Sequence, residues 1–193
     1  MSMHDFFLNE MQEHLHIAER TSQSLSEEFK AAVDLCVSAV QAGGKLLFLG
    51  NGGSAADAQH LATELTVRYI KDRSPIPAIA LTTDSSCLTA IGNDYSFEDL
   101  FARQVMAIGG SNDVMIAIST SGKSPNVIKA INVGRQAGIK VIGLTGQDGG
   151  LMPDLCDVVF KIPSKTTSRI QEMHITIGHM LCAAIEQKLG LVQ

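Results

Sequence analysis

The sequence of 193 residues predicts an α/β protein in which helices wrap a parallel sheet of about five strands. Three observations carry this prediction: apolar runs alternate with amphipathic stretches, the runs are continuous, and a long helix-forming segment stands at each end of the chain. Continuous apolar runs are typical of parallel strands buried on both faces. Because each parallel strand needs a crossover to reach the next, the helical stretches between the runs fit the same architecture.

The first predicted element is helical and spans residues from about 5 to 42, where apolar side chains recur every three or four positions. The glycines of AGGK (42–45) end this segment. Five apolar runs are then predicted to be strands, at 45–50, 77–82, 113–120, 140–145 and 157–162. The stretches between them predict helices at 54–70, at about 84–107 with an interruption at GNDYS, and at 124–137.

The last predicted element is a long helix over 166–190, and its apolar stripe needs a partner surface. The N-terminal helices carry a similar stripe, which makes self-association through a helical bundle the expected arrangement. We find no linker or internal repeat and predict a single domain over 1–193. Within it, 1–42 would serve oligomer packing, and 43–193 would form the ligand-binding core.

Composition narrows the classes of partner. The net charge is −5, and no run of Lys or Arg exceeds two residues, so we expect neither nucleic acid nor a membrane surface as a partner. The four cysteines stand singly in apolar contexts and are expected to be buried, reduced thiols. The N-terminal segment is acidic and no apolar run approaches membrane-spanning length, so we expect neither a signal peptide nor a span, and a cytoplasmic location.

Three polar loops follow predicted strands, at the sheet edge where open parallel sheets bind ligands. They are GNGGSAAD after the first strand, STSGKSPN (119–126) after the third, and TGQDGG (145–150) after the fourth. Each loop taken alone could be a plain connection. The hydroxyls of the second loop and the start of the next helix at Ser124 nevertheless favour a phosphate monoester on a small molecule. Ser54 is expected to cap the helix after the first loop.

Neither glycine loop has the spacing of a nucleotide-binding motif, so no nucleotide cofactor is expected. His60 and Glu64 lie four residues apart and should share one helix face. With Gln171 and His179 they offer the nitrogen and oxygen ligands that zinc accepts, although each histidine alone could be an ordinary residue. Gln171 and His179 are separated by about 12 Å along the helix axis, so both reach one ion only through long side chains or across an interface. His174 faces elsewhere and is interpreted as structural.

Five segments together resemble the phosphoheptose isomerase family of the sugar-isomerase (SIS) superfamily: GNGGSAADAQHLATEL, IGNDYSFEDLFARQV, AISTSGKSPNVIKAI, LTGQDGG and RIQEMHITIGHMLC. The resemblance runs most strongly from about residue 40 to 185. It implies a three-layer flavodoxin-like sheet and a homotetramer with a central helical bundle. It also implies active sites between subunits, one zinc ion per subunit, and conversion of a seven-carbon ketose phosphate into its aldose for lipopolysaccharide precursors.

The resemblance also implies roles for individual residues. Glu64 and His179 would be the catalytic acid–base pair, and the zinc ligands would be His60, Glu64, Gln171 and His179. Substrate contacts would come from Asn51, Gly52, Gly53, Ser54, Glu64, Asn93, Asp94, Ser119, Thr120, Ser121, Ser124 and Gln171. Some family members have an acid where this chain has Ser168, so a proton-relay role for that acid does not transfer.

Two other functions stay open at the level of sequence. A non-catalytic phosphosugar-binding regulator of the same fold, which binds a replication-initiator protein, would share several segments, and LTTD (81–84) resembles those relatives. Such a binder would need neither Glu64 nor His179, and this chain keeps both. An isomerase acting on another sugar phosphate would use the same phosphate loop.

Overall fold

The computed structural model describes residues 1–192 and contains the predicted parallel sheet. The five strands lie in the order β2-β1-β3-β4-β5, and each neighbouring pair is parallel. The predicted strand count and direction are therefore confirmed. The strands are β1 Leu46–Gly50, β2 Ala78–Ala80, β3 Val114–Ile118, β4 Lys140–Thr145 and β5 Val158–Lys161.

Seven α-helices account for most of the remaining described chain, and two short 3-10 turns lie at Phe97–Asp99 and Met152–Asp154. The predicted N-terminal helical segment is divided at Leu25 into two helices. The predicted break near GNDYS is also found, after Asp94. The helices are α1 Met3–Ser24, α2 Ser26–Gln41, α3 Gly53–Thr66, α4 Ser85–Asp94, α5 Ala102–Ile108, α6 Pro125–Gln136 and α7 Thr167–Lys188.

Two apolar clusters, one on each face of the sheet, form the core. Leu46 and Phe48 of β1 pack in the cluster that includes buried side chains of α2, α3 and α7. Leu47 and Leu49 belong to the other cluster, with α5 and α6. Alternate residues of one strand thus enter opposite layers, which explains why the strand is apolar at every position and confirms the three-layer α/β fold.

The edge strands depart from the predicted pattern. The residues of β1 and β3 are all buried, whereas Ile79 of β2 is 40% exposed and β5 is only partly covered. The strands β2, β3 and β5 are all shorter than predicted. The exposure of β2 and β5 follows from their position, because an edge strand has a neighbouring strand on one side only.

The helix predicted over 54–70 is wrong at its C-terminal end, since α3 stops at Thr66. The following chain turns away so that Arg73 can donate to backbone carbonyls of the last turn of α3 and to Glu186 of α7. These long-range partners favour a loop where the local pattern favours a helix.

The cysteines are free thiols, as predicted, but only Cys36 and Cys182 are fully buried. Cys87 and Cys156 are half-buried. Burial raises the pKa of Cys36, Cys156 and Cys182 to about 12, so these three thiols stay protonated near neutral pH.

The N-terminal helix leaves a large apolar surface uncovered in the single chain. Exposed side chains along α1 are Met3, Phe6, Phe7, Leu8, Met11 and Leu15. A contiguous exposed apolar surface of this kind marks interaction sites. Oligomer packing through this segment stays a prediction. Among residues 1–192, no helix combines the length and the apolar character needed to cross a membrane.

Candidate active site

The loop after β1 brings the backbone close to the side chain of Gln171. Gly52 precedes α3 with a φ of +57°, a conformation that favours glycine. A side chain at Gly53 would collide with Gln171, because its Cβ would lie 2.6 Å from Gln171 Nε2. The prediction that Ser54 caps the helix is wrong: Gly52 holds the cap position and Ser54 lies buried in the first turn.

Two asparagines connect the first loop to the second. Asn51 Nδ2 donates to Asn126 Oδ1, and Asn126 Nδ2 donates to Asn51 Oδ1, both at 2.8 Å. Asn126 is 1% exposed and Asn51 is half-buried, so the Asn126 end of this reciprocal pair is shielded from solvent. Asn126 was not among the predicted site residues, because nothing in the local sequence marks a partner 75 residues away.

Three serine hydroxyls converge in the second loop. Ser119 Oγ lies 2.9 Å from Ser124 Oγ and 3.5 Å from Ser121 Oγ. Ser124 precedes α6, and its side chain makes no capping hydrogen bond to that helix. The hydroxyls and the helix N-terminus therefore offer several donors at one point, the arrangement that suits a phosphate.

The third loop supports the second from behind. The backbone N–H of Gly146 donates to the Thr120 carbonyl at 3.0 Å, and that of Leu151 donates to the Gly122 carbonyl at 2.9 Å. Gly122 has a φ of +63° and packs against Gly149. The backbone of the hydroxyl-rich loop is thus hydrogen-bonded to its neighbour on both sides of Ser121.

His60, Glu64 and His179 meet across α3 and α7. Their potential ligand atoms all lie within 4.8 Å of one another. His60 Nε2 is 3.1 Å from Glu64 Oε1 and 3.3 Å from His179 Nε2. The three side chains, called the His–Glu–His cluster below, could hold a metal ion. Gln171, the fourth predicted ligand, contacts the first loop, and its role toward a metal stays a prediction.

Asp57 is a carboxylate near this cluster that was not among the predicted site residues. It is half-buried one turn before His60. Burial raises the pKa of Asp57, and the charges of His60 and His179 oppose that rise. A spacing of three residues before a candidate ligand on one helix was the available signal.

Asn93 and Asp94 lie apart from the loops in the hydrogen-bond network. Both are exposed at the end of α4, where Asn93 Nδ2 donates to Asp94 Oδ1 at 2.8 Å. Within residues 1–192, neither side chain forms a hydrogen bond to the three loops. Their role as substrate contacts stays a prediction.

His174 is fully buried, in agreement with its interpretation as structural. Its Nε2 lies 3.3 Å from the Thr145 carbonyl and must carry the proton to donate there. Burial lowers the pKa of His174 from 6.5 to about 4, against the opposing effect of this hydrogen bond.

The buried imidazole of His174 predicts weaker stability in acid. Below about pH 6.5 the unfolded chain binds a proton on His174, whereas the folded chain binds it only near pH 4. The free energy of unfolding should therefore fall by about 3 kcal/mol from this group between those two pH values. Urea unfolding at several pH values would measure the slope. His174→Gln should flatten it while His16→Gln, at an exposed site, should not; equal slopes in both variants would contradict the assignment.

Comparison with known proteins identifies the family. Residues 7–146 match the SIS domain. The chain is 54% identical over 158 residues to phosphoheptose isomerase of Rhodospirillum rubrum, covering 82% of this chain and 84% of that protein. It is 50% identical over 186 residues to the enzyme of the same name from Paramagnetospirillum magneticum, covering 96% and 97%.

A solved structure agrees with the sequence comparison. The structure of phosphoheptose isomerase from Neisseria gonorrhoeae superposes with a TM-score of 0.91 and is 40% identical, covering 96% of this chain and all of that one. Matches of this length include the loops, α3 and α7, which carry the candidate site. The chain therefore belongs to the phosphoheptose isomerase family of SIS-domain proteins.

Proposed function

We propose that this protein is an isomerase that converts sedoheptulose 7-phosphate into D-glycero-D-manno-heptose 7-phosphate. The observation that carries the proposal is the meeting of Glu64 and His179 on neighbouring helices that flank the first loop. A carboxylate and an imidazole are the side chains that a proton transfer next to a carbonyl requires. Membership of the family supports the same reaction, since the relatives compared above bear the name phosphoheptose isomerase.

The phosphate would bind in the hydroxyl-rich loop. Ser119, Ser121 and Ser124 would donate hydroxyl protons to its oxygens, helped by the N-terminus of α6. The sugar would extend toward the His–Glu–His cluster, past the remaining proposed contacts Asn51, Gly52, Gly53, Ser54, Thr120 and Gln171. Asn93 and Asp94 are exposed, so in an oligomer with active sites between subunits they would reach the sugar of a neighbouring copy.

In the proposed reaction Glu64 acts as the base on carbon. Its carboxylate removes a proton from C1 of the ketose, and the electron pair of the C–H bond forms the C1–C2 double bond of an enediol. Glu64 then returns the proton to C2, which leaves the carbonyl at C1. His179 moves the proton between the two oxygens, so the substrate and product have the same atoms and electrons.

The His–Glu–His cluster has the donor chemistry and spacing of a zinc site. Neighbouring ligands about 2.0–2.1 Å from a tetrahedral zinc lie about 3.3 Å apart, close to the 3.1 Å and 3.3 Å found here. We propose that His60, Glu64 and His179 hold one zinc ion per subunit, with Gln171 as the fourth ligand. When bound, zinc would supply a Lewis acid for a sugar oxygen. Glu64 would then serve as ligand and base, two roles that compete.

We also propose how this protein assembles, where it acts and what its product is used for. The exposed apolar face of α1 supports a homotetramer, because a second copy would cover it. The proposed location is the cytoplasm, where sugar phosphates are substrates. The product would be a precursor of activated heptose for the lipopolysaccharide core.

Solvent-deuterium incorporation into sedoheptulose 7-phosphate, followed by NMR, tests the function. Label at C1 or C2, together with appearance of the aldose, is the expected result, because the abstracted proton exchanges with solvent. Binding of the sugar phosphate with neither label nor aldose would contradict isomerase activity and favour the regulatory binder. Parallel assays with shorter ketose phosphates would reveal whether another sugar is preferred.

The phosphate loop makes a separate prediction. Ser121→Ala combined with Ser124→Ala should weaken binding of sedoheptulose 7-phosphate by about 100-fold or more, because two hydroxyl donors to a charged group are lost. Isothermal titration calorimetry would measure the affinity. Ser22→Ala with Ser24→Ala removes two hydroxyls that donate to carbonyls of α1, and this control should bind normally. A fall in turnover with unchanged affinity would exclude the loop as the phosphate site.

A further inference from the structure

A buried ion pair lies directly beside the His–Glu–His cluster. Arg73 Nη2 is 2.6 Å from Glu186 Oε1, and the two side chains are only 1% and 3% exposed. Arg73 Nε donates to the same oxygen at 2.7 Å. Arg73 lies in the loop after α3 and Glu186 lies near the end of α7, so the pair joins the two helices that carry the cluster.

Arg73 also forms hydrogen bonds to the C-terminal end of α3, which carries Glu64. Its Nη2 donates to the Glu64 carbonyl at 2.8 Å, and its Nη1 donates to the Leu65 carbonyl at 2.6 Å. The last carbonyls of a helix have no hydrogen-bond donor inside the helix. An arginine that donates to them therefore fixes the position of the final turn. One guanidinium group therefore connects the backbone of Glu64 to a carboxylate on α7.

Glu186 reaches the other half of the cluster through Tyr69. Its Oε1 accepts a hydrogen bond from the Tyr69 backbone N–H at 3.2 Å. The Tyr69 ring lies against the ring of His179, with 5.6 Å between the ring centroids. The ion pair thus contacts a neighbour of His179 on one side and the backbone of Glu64 on the other.

Stability alone gives a weak reason for such a pair. Removing two charges from water is costly, and apolar side chains of similar size often stabilise a protein as well as a buried ion pair. What apolar side chains cannot supply is the set of directed hydrogen bonds to the Glu64 carbonyl and to the Tyr69 N–H. We propose that Arg73 and Glu186 are positioning residues that set the distance between the Glu64 carboxylate and the His179 imidazole. This inference rests on the proposed function.

Conservative and disruptive variants of the pair test this role in the full chain. Arg73→Met removes all the donors, whereas Arg73→Lys keeps the charge and one direction of donation, and Glu186→Gln keeps the acceptor oxygen. We expect Arg73→Met to lower kcat and the zinc affinity of the metal-free protein by about 10- to 100-fold each, the range for residues that orient metal ligands. KM should change less than about twofold. In Arg73→Lys and Glu186→Gln, kcat and zinc affinity should lie between the values of Arg73→Met and those of the wild type.

Asp113→Asn is the matched control. Asp113 is a buried carboxylate that pairs with Lys45 at 2.7 Å and accepts hydrogen bonds from the backbone N–H groups of Lys45 and Gly110, just before β1 and β3. Its loss should lower the unfolding temperature and leave kcat and zinc affinity at wild-type values. Chelator competition would measure zinc affinity, and steady-state kinetics would give kcat and KM.

The outcomes separate the two proposals. If Arg73→Met lowers only the unfolding temperature, as Asp113→Asn does, the pair is structural and the positioning role is wrong. If Arg73→Met does not fold, the two conservative variants decide the question. Unchanged kcat and zinc affinity in both Arg73→Lys and Glu186→Gln would also show that the positioning role is wrong. A wild-type protein that binds zinc but fails to convert sedoheptulose 7-phosphate would contradict the proposed function instead, and the ratio of zinc affinities would still decide the role of Arg73.

Discussion

Turnover of sedoheptulose 7-phosphate is expected to fall by about 10²- to 10⁴-fold or more in Glu64→Gln, the range that a missing acid–base group costs. The amide has nearly the same shape as the carboxylate and can still accept a hydrogen bond from His60, but it cannot take a proton from carbon. Fold and phosphosugar binding should therefore persist. NMR of solvent-deuterium incorporation measures the carbon-bound exchange directly, and calorimetry measures binding.

The control for Glu64 is Glu27→Gln, an exposed acid in the first turn of α2. This variant should incorporate solvent deuterium into sedoheptulose 7-phosphate, and convert it to the aldose, at the wild-type rates. Metal content must be measured alongside, since Glu64 is also a proposed ligand. Exchange that persists in Glu64→Gln after its zinc content falls would show that Glu64 holds the metal and that another group is the base.

Gly122→Ala is expected to have the largest effect on stability and on phosphate binding together. A Cβ at this position would lie 2.0 Å from the Gly149 carbonyl oxygen, and the backbone has a φ of +63°. Neither the clash with backbone nor the left-handed conformation can be relieved by a side-chain movement, so the loop must shift. We expect a loss of about 3 kcal/mol or more in the free energy of unfolding.

Gly43→Ala separates the two causes. Gly43 has a φ of +78° but nothing within 4 Å of its would-be Cβ, so this variant should lose only the conformational part, about 1 kcal/mol. Chemical unfolding and phosphate titration of both variants would measure the difference. Similar losses at the two positions would mean that the contact between Gly122 and Gly149 does not constrain the loop.

The sequence predicted the interior of the sheet better than its edges. Leu47 and Phe48 face opposite apolar layers, so every residue of β1 must be apolar, and that requirement is visible in a short stretch of chain. The exposure of Ile79 depends instead on which strand lies outermost, a property of topology. The cap of α3 was mispredicted for a local reason, since Gly52 can adopt a φ that starts the helix two residues earlier than a cap at Ser54 would.

From spacing alone the candidate site could be predicted only within short stretches of the chain, whereas the meeting of His179 with His60 and Glu64 was predicted from their ligand chemistry and from the family resemblance. His60 and Glu64 share a helix face at a spacing of four, and the serines of the second loop are nearly consecutive. Asn126 and Arg73 were missed because their partners are 75 and 113 residues away, and because the predicted helix ran on to residue 70, beyond the end of α3 at Thr66. Pairing at such distances is set by the packing of α3 and α6 against other elements.

The contacts of α7 limit how the sequence of this protein can diverge. One helix carries Gln171 against the first loop, His174 behind β4, His179 in the cluster and Glu186 in the ion pair. Since a helix moves as a rod, a substitution that tilts it disturbs all four contacts at once. Selection should therefore hold α7 nearly invariant among descendants of this chain. A change in the length of the accepted sugar would have to arise through the loops, whose residues can be exchanged without moving that rod.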